Sequence, residues 1–210
     1  MVAKIRIGKI IPLLKKEYPD AKCSLDYDSP FQLIVATILS AQCTDARVNM
    51  VTPVLFKKYS TPEKLARAPL KDIEEIIRST GFYKNKAKSL SEMAKSLVEK
   101  HKGQVPKTMD ELVHLRGVGR KTANVVLGNA FGINEGVVVD THVGRLSRRM
   151  GFTKEHDPVK VEQDLMKLVP QKLWALFSHF LVFHGRKWCS ARKPLCEGCP
   201  IAPYCPRIGV

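Results

Sequence analysis

The sequence predicts an all-α protein whose helices are joined by short loops. Helix-start signals recur along the chain, each a serine, threonine or aspartate placed directly before a proline or an acidic residue. Between these signals apolar residues recur at helical spacing, and glycines stand where several of these runs should stop. One short segment, Val137 to Val139, favours extended structure.

The chain begins with an amphipathic pattern over Met1 to Tyr18, in which basic and apolar residues alternate at helical spacing. It lacks the apolar block of a signal peptide, and no stretch approaches the length of a membrane span. We therefore expect that the protein does not span a membrane. It should reside in the cytoplasm of a prokaryote or in the nucleus of a eukaryote.

The next helices are predicted from their caps. Ser29 and Pro30 open the run Phe31 to Ser40, and Thr108 with Glu111 has the spacing of a capping box. Three further starts are Thr44-Asp45, Thr61-Pro62-Glu63 and Asp157-Pro158. The predicted helix stops are Gly81, Gly103, Gly132, Gly151 and Gly185.

The β-branched run Val137 to Val139 is too short to form a sheet alone. We interpret it as an extended approach that delivers Asp140, with Thr141 capping the following helix. No linker rich in glycine, serine or proline divides the chain, so any domain boundary should be a seam between helices.

The charge of the chain indicates a polyanionic partner. Lysine and arginine total 35 against 20 acidic residues, which gives a net charge of +15. Such a surface favours nucleic acid, which releases its counterions when phosphates are neutralised. Two alternatives are that the basic residues only keep the protein in solution, or that the partner is an anionic membrane surface.

Four of the six cysteines form one compact pattern, C-x6-C-x2-C-x5-C. We call residues 189–205 the cysteine loop; its cysteines are Cys189, Cys196, Cys199 and Cys205. Zinc and an iron–sulfur cluster both accept four thiolates, so the spacing indicates a metal site without choosing the metal, and metal-free structural thiols are the alternative. Cys23 and Cys43 have no partner spacing and are expected to be buried free thiols.

Four cations lie within this loop or directly before it. They are suited to phosphate contacts, and the alternative is that they form only a solvated basic tail. We call them the cysteine-loop cations: Arg186, Lys187, Arg192 and Lys193.

Residues 112–122, LVHLRGVGRKT, place the turn Gly117-Val118-Gly119 between two helical runs. Such a turn presents helix N-terminal N–H groups to an anion, and Arg120 follows at once. The arrangement predicts a helix-hairpin-helix over about residues 108–130 that binds the DNA backbone, whereas a lone G-x-G could be only a tight turn.

Lys121 lies where the second hairpin helix should begin, and it can be a phosphate contact or an amine nucleophile. Positive potential at a helix start disfavours the ammonium form, which suits a nucleophile. Asp140 follows an apolar run and can stabilise positive charge on a sugar, although an aspartate at such a position is more commonly a helix cap.

Four ordered motifs closely resemble the endonuclease III family, and the resemblance spans roughly residues 5–207. They are LSAQCTD at residues 39–45, LRGVGRKTANVVL at 115–127, VDTHVGR at 139–145, and the cysteine loop. Arg116 departs from the family, where this hairpin position is often proline.

The resemblance implies a two-domain helical fold. A helical barrel would span residues 24–132 and contain the hairpin, and an iron–sulfur domain would combine residues 1–23 with 133–210. It further implies a [4Fe-4S] cluster on the four cysteines of the cysteine loop, which is structural or tunes DNA affinity.

The implied activity is that of a monomeric, bifunctional DNA glycosylase and AP lyase acting on duplex DNA with damaged pyrimidines or abasic sites. Lys121 would attack the sugar C1′, and Asp140 would assist base departure. Gln42 and Phe82 would fill the gap left by the flipped base. The hairpin's DNA contacts would be Gly117, Val118, Gly119, Arg120 and Thr122.

Two alternatives to this activity can be distinguished from it, one by its sequence and the other by an assay. Mismatch-specific adenine glycosylases usually lack a lysine at the position of Lys121 and extend past the cluster, and a thymine mismatch glycosylase is closer to this pattern. A non-catalytic iron–sulfur DNA-binding or electron-transfer protein would not cleave an abasic site.

Overall fold

The computed structural model describes residues 1–210, and it is helical throughout. It has no β-strand, so the predicted all-α class is confirmed. Three short 3₁₀ turns lie at residues 78–80, 171–173 and 202–204. The α-helices are α1 (Ala3–Glu17), α2 (Pro30–Leu39), α3 (Asp45–Lys58), α4 (Pro62–Ala66), α5 (Leu70–Ile77), α6 (Tyr83–His101), α7 (Met109–Val113), α8 (Arg120–Ala130), α9 (Thr141–Arg149), α10 (Pro158–Leu168) and α11 (Trp174–Lys187).

The predicted helix starts are confirmed by their hydrogen bonds. The Ser29 hydroxyl accepts the N–H of Gln32 at 3.2 Å, which satisfies a donor in the first turn of α2. Equivalent bonds start α3, α4, α7 and α10. At α7 the Glu111 carboxylate binds the Thr108 hydroxyl itself.

Four of the five predicted glycine stops are correct, because Gly81, Gly103, Gly132 and Gly151 adopt left-handed φ angles between 66° and 75°. The fifth is wrong: Gly185 lies inside α11. A Cβ at that position would stand 2.5 Å from Nδ1 of His142. The glycine therefore allows α9 and α11 to approach closely, which is a role of long-range packing and not of chain termination.

The cap of α9 also differs from the prediction. Asp140, and not Thr141, is the N-cap, because its Oδ1 accepts the N–H of Val143 at 2.8 Å. Thr141 is already the first helical residue. As predicted, Val137 to Val139 do not form a sheet, and they lie outside any helix.

The chain forms two compact units, each with its own core. One unit is the continuous segment Cys23–Ile133. Helix α2 is almost wholly buried within it, and it packs against α3, α6 and α8. Because α2 is buried and packs against α8, it supports the second helix of the hairpin from within the core.

The other unit combines Met1–Lys22 with Asn134–Val210. Its core is built around α11, whose Phe177 and Phe180 are fully buried. Helix α11 contacts α1 and α9, which brings the N-terminal helix against the C-terminal part of the chain. None of the helices combines the length and apolar character needed to cross a membrane.

Candidate functional site

The hairpin predicted from the sequence is formed by α7, the turn after it, and α8. Gly117 has φ of 80°, and a Cβ there would meet Cβ of Ser89 at 3.0 Å, so only glycine fits without displacement. The Val118 N–H donates to the Leu115 carbonyl at 3.1 Å, and the Val118 side chain is buried. Val118 therefore anchors the turn, and its side chain is not exposed to a ligand.

The turn leads into α8 with no side-chain cap, and Gly119 is the N-cap residue. The first N–H groups of a helix have no acceptor within the helix, so an uncapped start offers donors and a positive potential to an anion. Arg120 and Lys121 are exposed in this first turn, and Thr122 is half-buried. This end of the hairpin is therefore suited to binding a phosphate.

Arg116, the departure from the family pattern, is engaged within the protein. Its Nη1 lies 3.2 Å from Oε2 of Glu92 on α6. The pair is about half exposed, so it contributes little to stability. It fastens the hairpin turn to α6 and partly offsets the added positive charge.

The two proposed catalytic side chains have contrasting surroundings. Lys121 is exposed on α8, in the unit Cys23–Ile133. Asp140 is half-buried after the buried residues Val137 and Val139, in the other unit. The cap bond to Val143 uses Oδ1 of Asp140, so Oδ2 remains available to another group.

Gln42 and Phe82 share an unusual backbone conformation. Their φ angles are 53° and 48°, a region that non-glycine residues rarely occupy. The Phe82 ring is not an ordinary core aromatic, because 64% of the residue is exposed. Both residues are exposed, and both occupy strained turns.

The four cysteines of the cysteine loop line one apolar hollow, part of which is open to solvent. None of them forms a disulfide. Its other walls include Arg149, His184, Trp188 and Ile201. Four thiols around an apolar hollow fit a cluster of several atoms.

Hydrogen bonds orient the cysteine sulfurs. Nη1 of Arg149 donates to Sγ of Cys189 at 3.3 Å, and Nε2 of His184 lies 3.3 Å from Sγ of Cys199. The Tyr18 hydroxyl lies 3.0 Å from Nδ1 of the same imidazole. Burial lowers the pKa of His184 to about 4, so the ring is neutral near pH 7.

Burial also raises the pKa of Cys199 to about 11 and raises the pKa of Cys205. The isolated thiols are thus poor anions. A bound metal centre supplies the positive charge that keeps such sulfurs deprotonated.

The cysteine-loop cations are all exposed. Lys187 is already engaged within the protein, because its Nζ is 2.8 Å from Oε1 of Glu17 and lies over the Trp188 ring. The two remaining cysteines, Cys23 and Cys43, are free thiols as predicted, but each is only half-buried, contrary to the prediction. Each packs on the edge of the core, where sequence spacing gives no measure of depth.

Comparisons with known proteins agree with this geometry. Residues 35–171 match the family model of the HhH-GPD superfamily base excision DNA repair protein. Endonuclease III of Synechocystis sp. is 57% identical over 203 residues, which is 97% of this chain and 93% of that protein. The chain belongs to the endonuclease III family.

Solved structures of endonuclease III extend the comparison to three dimensions. One is a non-covalent endonuclease III–DNA complex, which is 44% identical, has a TM-score of 0.92 and covers 99% of this chain and 97% of that one. A trapped endonuclease III–DNA covalent intermediate gives the same values. Residues 189–205 match the iron–sulfur binding domain of endonuclease III, so the cofactor is an iron–sulfur cluster of the [4Fe-4S] type, and the zinc alternative is excluded.

Sequence reasoning missed the side chains that surround the cluster site. Tyr18, Arg149 and His184 carry no metal-binding spacing, and Tyr18 is 166 residues from its partner His184. The buried lysine Lys86 on α6 was missed as well, because a lysine in a basic sequence gives no sign of burial.

Proposed function

We propose that this endonuclease III family protein is a bifunctional DNA glycosylase and AP lyase of base excision repair. It removes oxidised pyrimidines from duplex DNA and then cleaves the strand 3′ to the abasic site by β-elimination. The observation that carries the proposal is an exposed lysine in the first, uncapped turn of the hairpin helix α8. There a DNA backbone held by the turn would be presented to an amine.

Lys121 is the proposed nucleophile. Its Nζ attacks C1′ of the damaged nucleotide, the bond from C1′ to the base breaks, and the base leaves with a proton. The nitrogen passes its second proton to O4′ as the C1′–O4′ bond breaks, which opens the sugar ring and leaves an imine between Nζ and C1′. Removal of a C2′ proton then expels the 3′ phosphate, and water releases Lys121.

Asp140 is the proposed partner in base departure. Its carboxylate caps α9 through Oδ1, which fixes the orientation of the group and leaves Oδ2 to face positive charge on the sugar. The same bond explains why a cap residue and a catalytic carboxylate can be one side chain.

The DNA contacts are proposed to be of two kinds. Backbone N–H groups around Gly117, Gly119 and Thr122, with the side chain of Arg120, would bind phosphates, while Val118 supports the turn from below. The cysteine-loop cations would add a second phosphate-binding surface, and Lys187 would have to share its charge with Glu17.

The cluster ligands are proposed to be the four cysteines of the cysteine loop. When bound, the cluster supplies four metal–thiolate links that hold the last residues of the chain in place. Arg149 and His184 orient the sulfurs of Cys189 and Cys199 through the bonds described above.

Gln42 and Phe82 are proposed to occupy the space left by the flipped nucleotide. Both are exposed and both are held in left-handed turns, which suits side chains that must project into a duplex. We further propose that residues 24–132 act as the helical barrel domain and the remainder as the cluster domain. The enzyme would act as a monomer associated with the nucleoid.

The test is a panel of duplexes, each carrying one lesion, assayed for base release and strand cleavage without added metal. The proposal requires release of oxidised pyrimidines and a 3′ nick at a pre-formed abasic site. An undamaged duplex and a duplex with a mismatched adenine or thymine serve as controls. Binding to all duplexes without cleavage of any would identify a non-catalytic module instead.

A further inference from the structure

Lys86 is a buried lysine with no acidic partner. It lies on α6 and is only 6% exposed. Its Nζ donates to the carbonyl of Leu39 at 2.8 Å and to the carbonyl of Thr80 at 2.8 Å. Both acceptors are backbone oxygens, and they lie close to each other because a single Nζ atom binds both.

The two carbonyls belong to the segments that carry Gln42 and Phe82. Leu39 is the last residue of α2, directly before the turn that contains Gln42. Thr80 ends the 3₁₀ turn, and Gly81 alone separates it from Phe82. Lys86 also donates its own backbone N–H to the Phe82 carbonyl at 3.1 Å. One residue therefore binds both strained turns.

Burial of an ammonium group is costly, and it lowers the pKa of Lys86. Part of this cost is offset because the C-terminal end of α2 carries partial negative charge. An apolar side chain would fill the same space without the desolvation cost, but it would leave two buried carbonyls unpaired. Lys86 is therefore buried because its ammonium group links the carbonyls of Leu39 and Thr80, and not because its side chain fills space.

We propose that Lys86 is a positioning residue that fixes Gln42 and Phe82 relative to each other, so that the two side chains enter the duplex together. This inference rests on the proposed role of these two residues in nucleotide flipping. It gives Lys86 a function on intact lesions, where a stacked base must be displaced, and little function where the base is already missing.

The test compares Lys86→Met with Lys88→Met, a control on the same helix whose side chain is exposed and pairs only loosely with Glu92. Single-turnover rates are measured on a paired lesion and on a pre-formed abasic site. We expect Lys86→Met to slow excision of the paired lesion by about tenfold to a hundredfold, the range for misplaced groups remote from the chemistry. Cleavage of the abasic site should stay within a few-fold of wild type, and Lys88→Met should change neither rate.

Fluorescence of 2-aminopurine placed beside the lesion reports base unstacking directly. Lys86→Met should reduce its rise on binding, whereas a general loss of stability would not. If methionine prevents folding, Lys86→Gln provides the same comparison, because its shorter amide cannot reach both carbonyls. Equal losses on both substrates, or no loss on either, would overturn the inference.

A mutant cycle separates this inference from the proposed function. In the Gln42→Ala, Phe82→Ala background, adding Lys86→Met should cause no further loss, because Lys86 acts through these two residues. If that background is selective against paired lesions but Lys86→Met alone is not, only the positioning role is wrong. If the background shows no such selectivity, the flipping role is wrong and the role of Lys86 falls with it.

Discussion

Substitution of Asp140 by asparagine separates helix capping from catalysis. In the structure Oδ1 of Asp140 accepts the Val143 N–H at 2.8 Å, and asparagine can keep this bond because its amide oxygen caps a helix about as well. What it loses is the negative charge. Asp140→Asn should therefore remain folded and lose function.

The magnitudes of the two effects are well separated. Loss of charge near the start of α9 should cost about 0.3–1 kcal/mol of unfolding free energy, which for a chain of this size lowers the melting temperature by roughly 1–4 °C. Removal of the whole cap in Asp140→Ala should cost about 1 kcal/mol more. Loss of a preorganised group facing transition-state charge costs about a hundredfold to a thousandfold in rate.

The assay is single-turnover base release from a duplex with one oxidised pyrimidine, beside a thermal melt of each variant. Asp157 supplies the matched control, since its Oδ1 caps α10 by accepting two N–H groups at 3.0 Å. Asp157→Ala should lower stability as Asp140→Ala does and leave base release unchanged. On a pre-formed abasic site Asp140→Asn should retain more activity than on the lesion. Near-wild-type release by Asp140→Asn would refute the catalytic role.

Three other variants test separate features. Replacement of all four cysteine-loop cations by alanine should weaken binding to every DNA sequence alike and reduce the dependence of affinity on salt. Binding titrations over a range of salt concentrations measure both quantities. An unchanged salt dependence would contradict phosphate contacts by these residues. The purified protein should be yellow-brown, with broad absorbance near about 400 nm, and Cys196→Ser should lose both colour and stability. Colourless protein that contains one zinc ion would contradict the assignment of an iron–sulfur cluster. Gly185→Ala places a Cβ 2.5 Å from Nδ1 of His142 and should lower the free energy of unfolding by about 1–3 kcal/mol, as measured by denaturant titration. Gly8→Ala is the control, because nothing lies within 4 Å of its new Cβ, and it should not lower the free energy of unfolding.

The sequence was sufficient for features set by neighbouring residues. A cap such as Ser29 or Thr108 acts within three residues, so its pattern can be read directly. The hairpin and the cysteine loop are equally local. The all-α class follows from the sum of these signals.

Features set by residues distant in the chain could not be predicted. Gly185 looked like a helix stop because the contact with His142 exists only after α9 and α11 pack together. His184 and Tyr18 approach the cysteine loop for the same reason. The burial of Lys86 depends on where α2, the 3₁₀ turn and α6 meet. The sequence offers both Asp140 and Thr141 as caps of α9, and only the hydrogen bond from the Val143 N–H to Oδ1 of Asp140 decides between them.

The central claim is that the amine of Lys121 forms the covalent link to DNA, and borohydride trapping tests it most directly. Wild-type enzyme mixed with lesion DNA and borohydride should yield a stable protein–DNA adduct. Lys121→Ala should yield none while still binding DNA, and Lys121→Arg should also fail because a guanidinium cannot form the imine. Lys107→Ala, an exposed lysine of the same unit, should trap normally. An adduct that persists in Lys121→Ala would mean that another amine is the nucleophile and would contradict the mechanism.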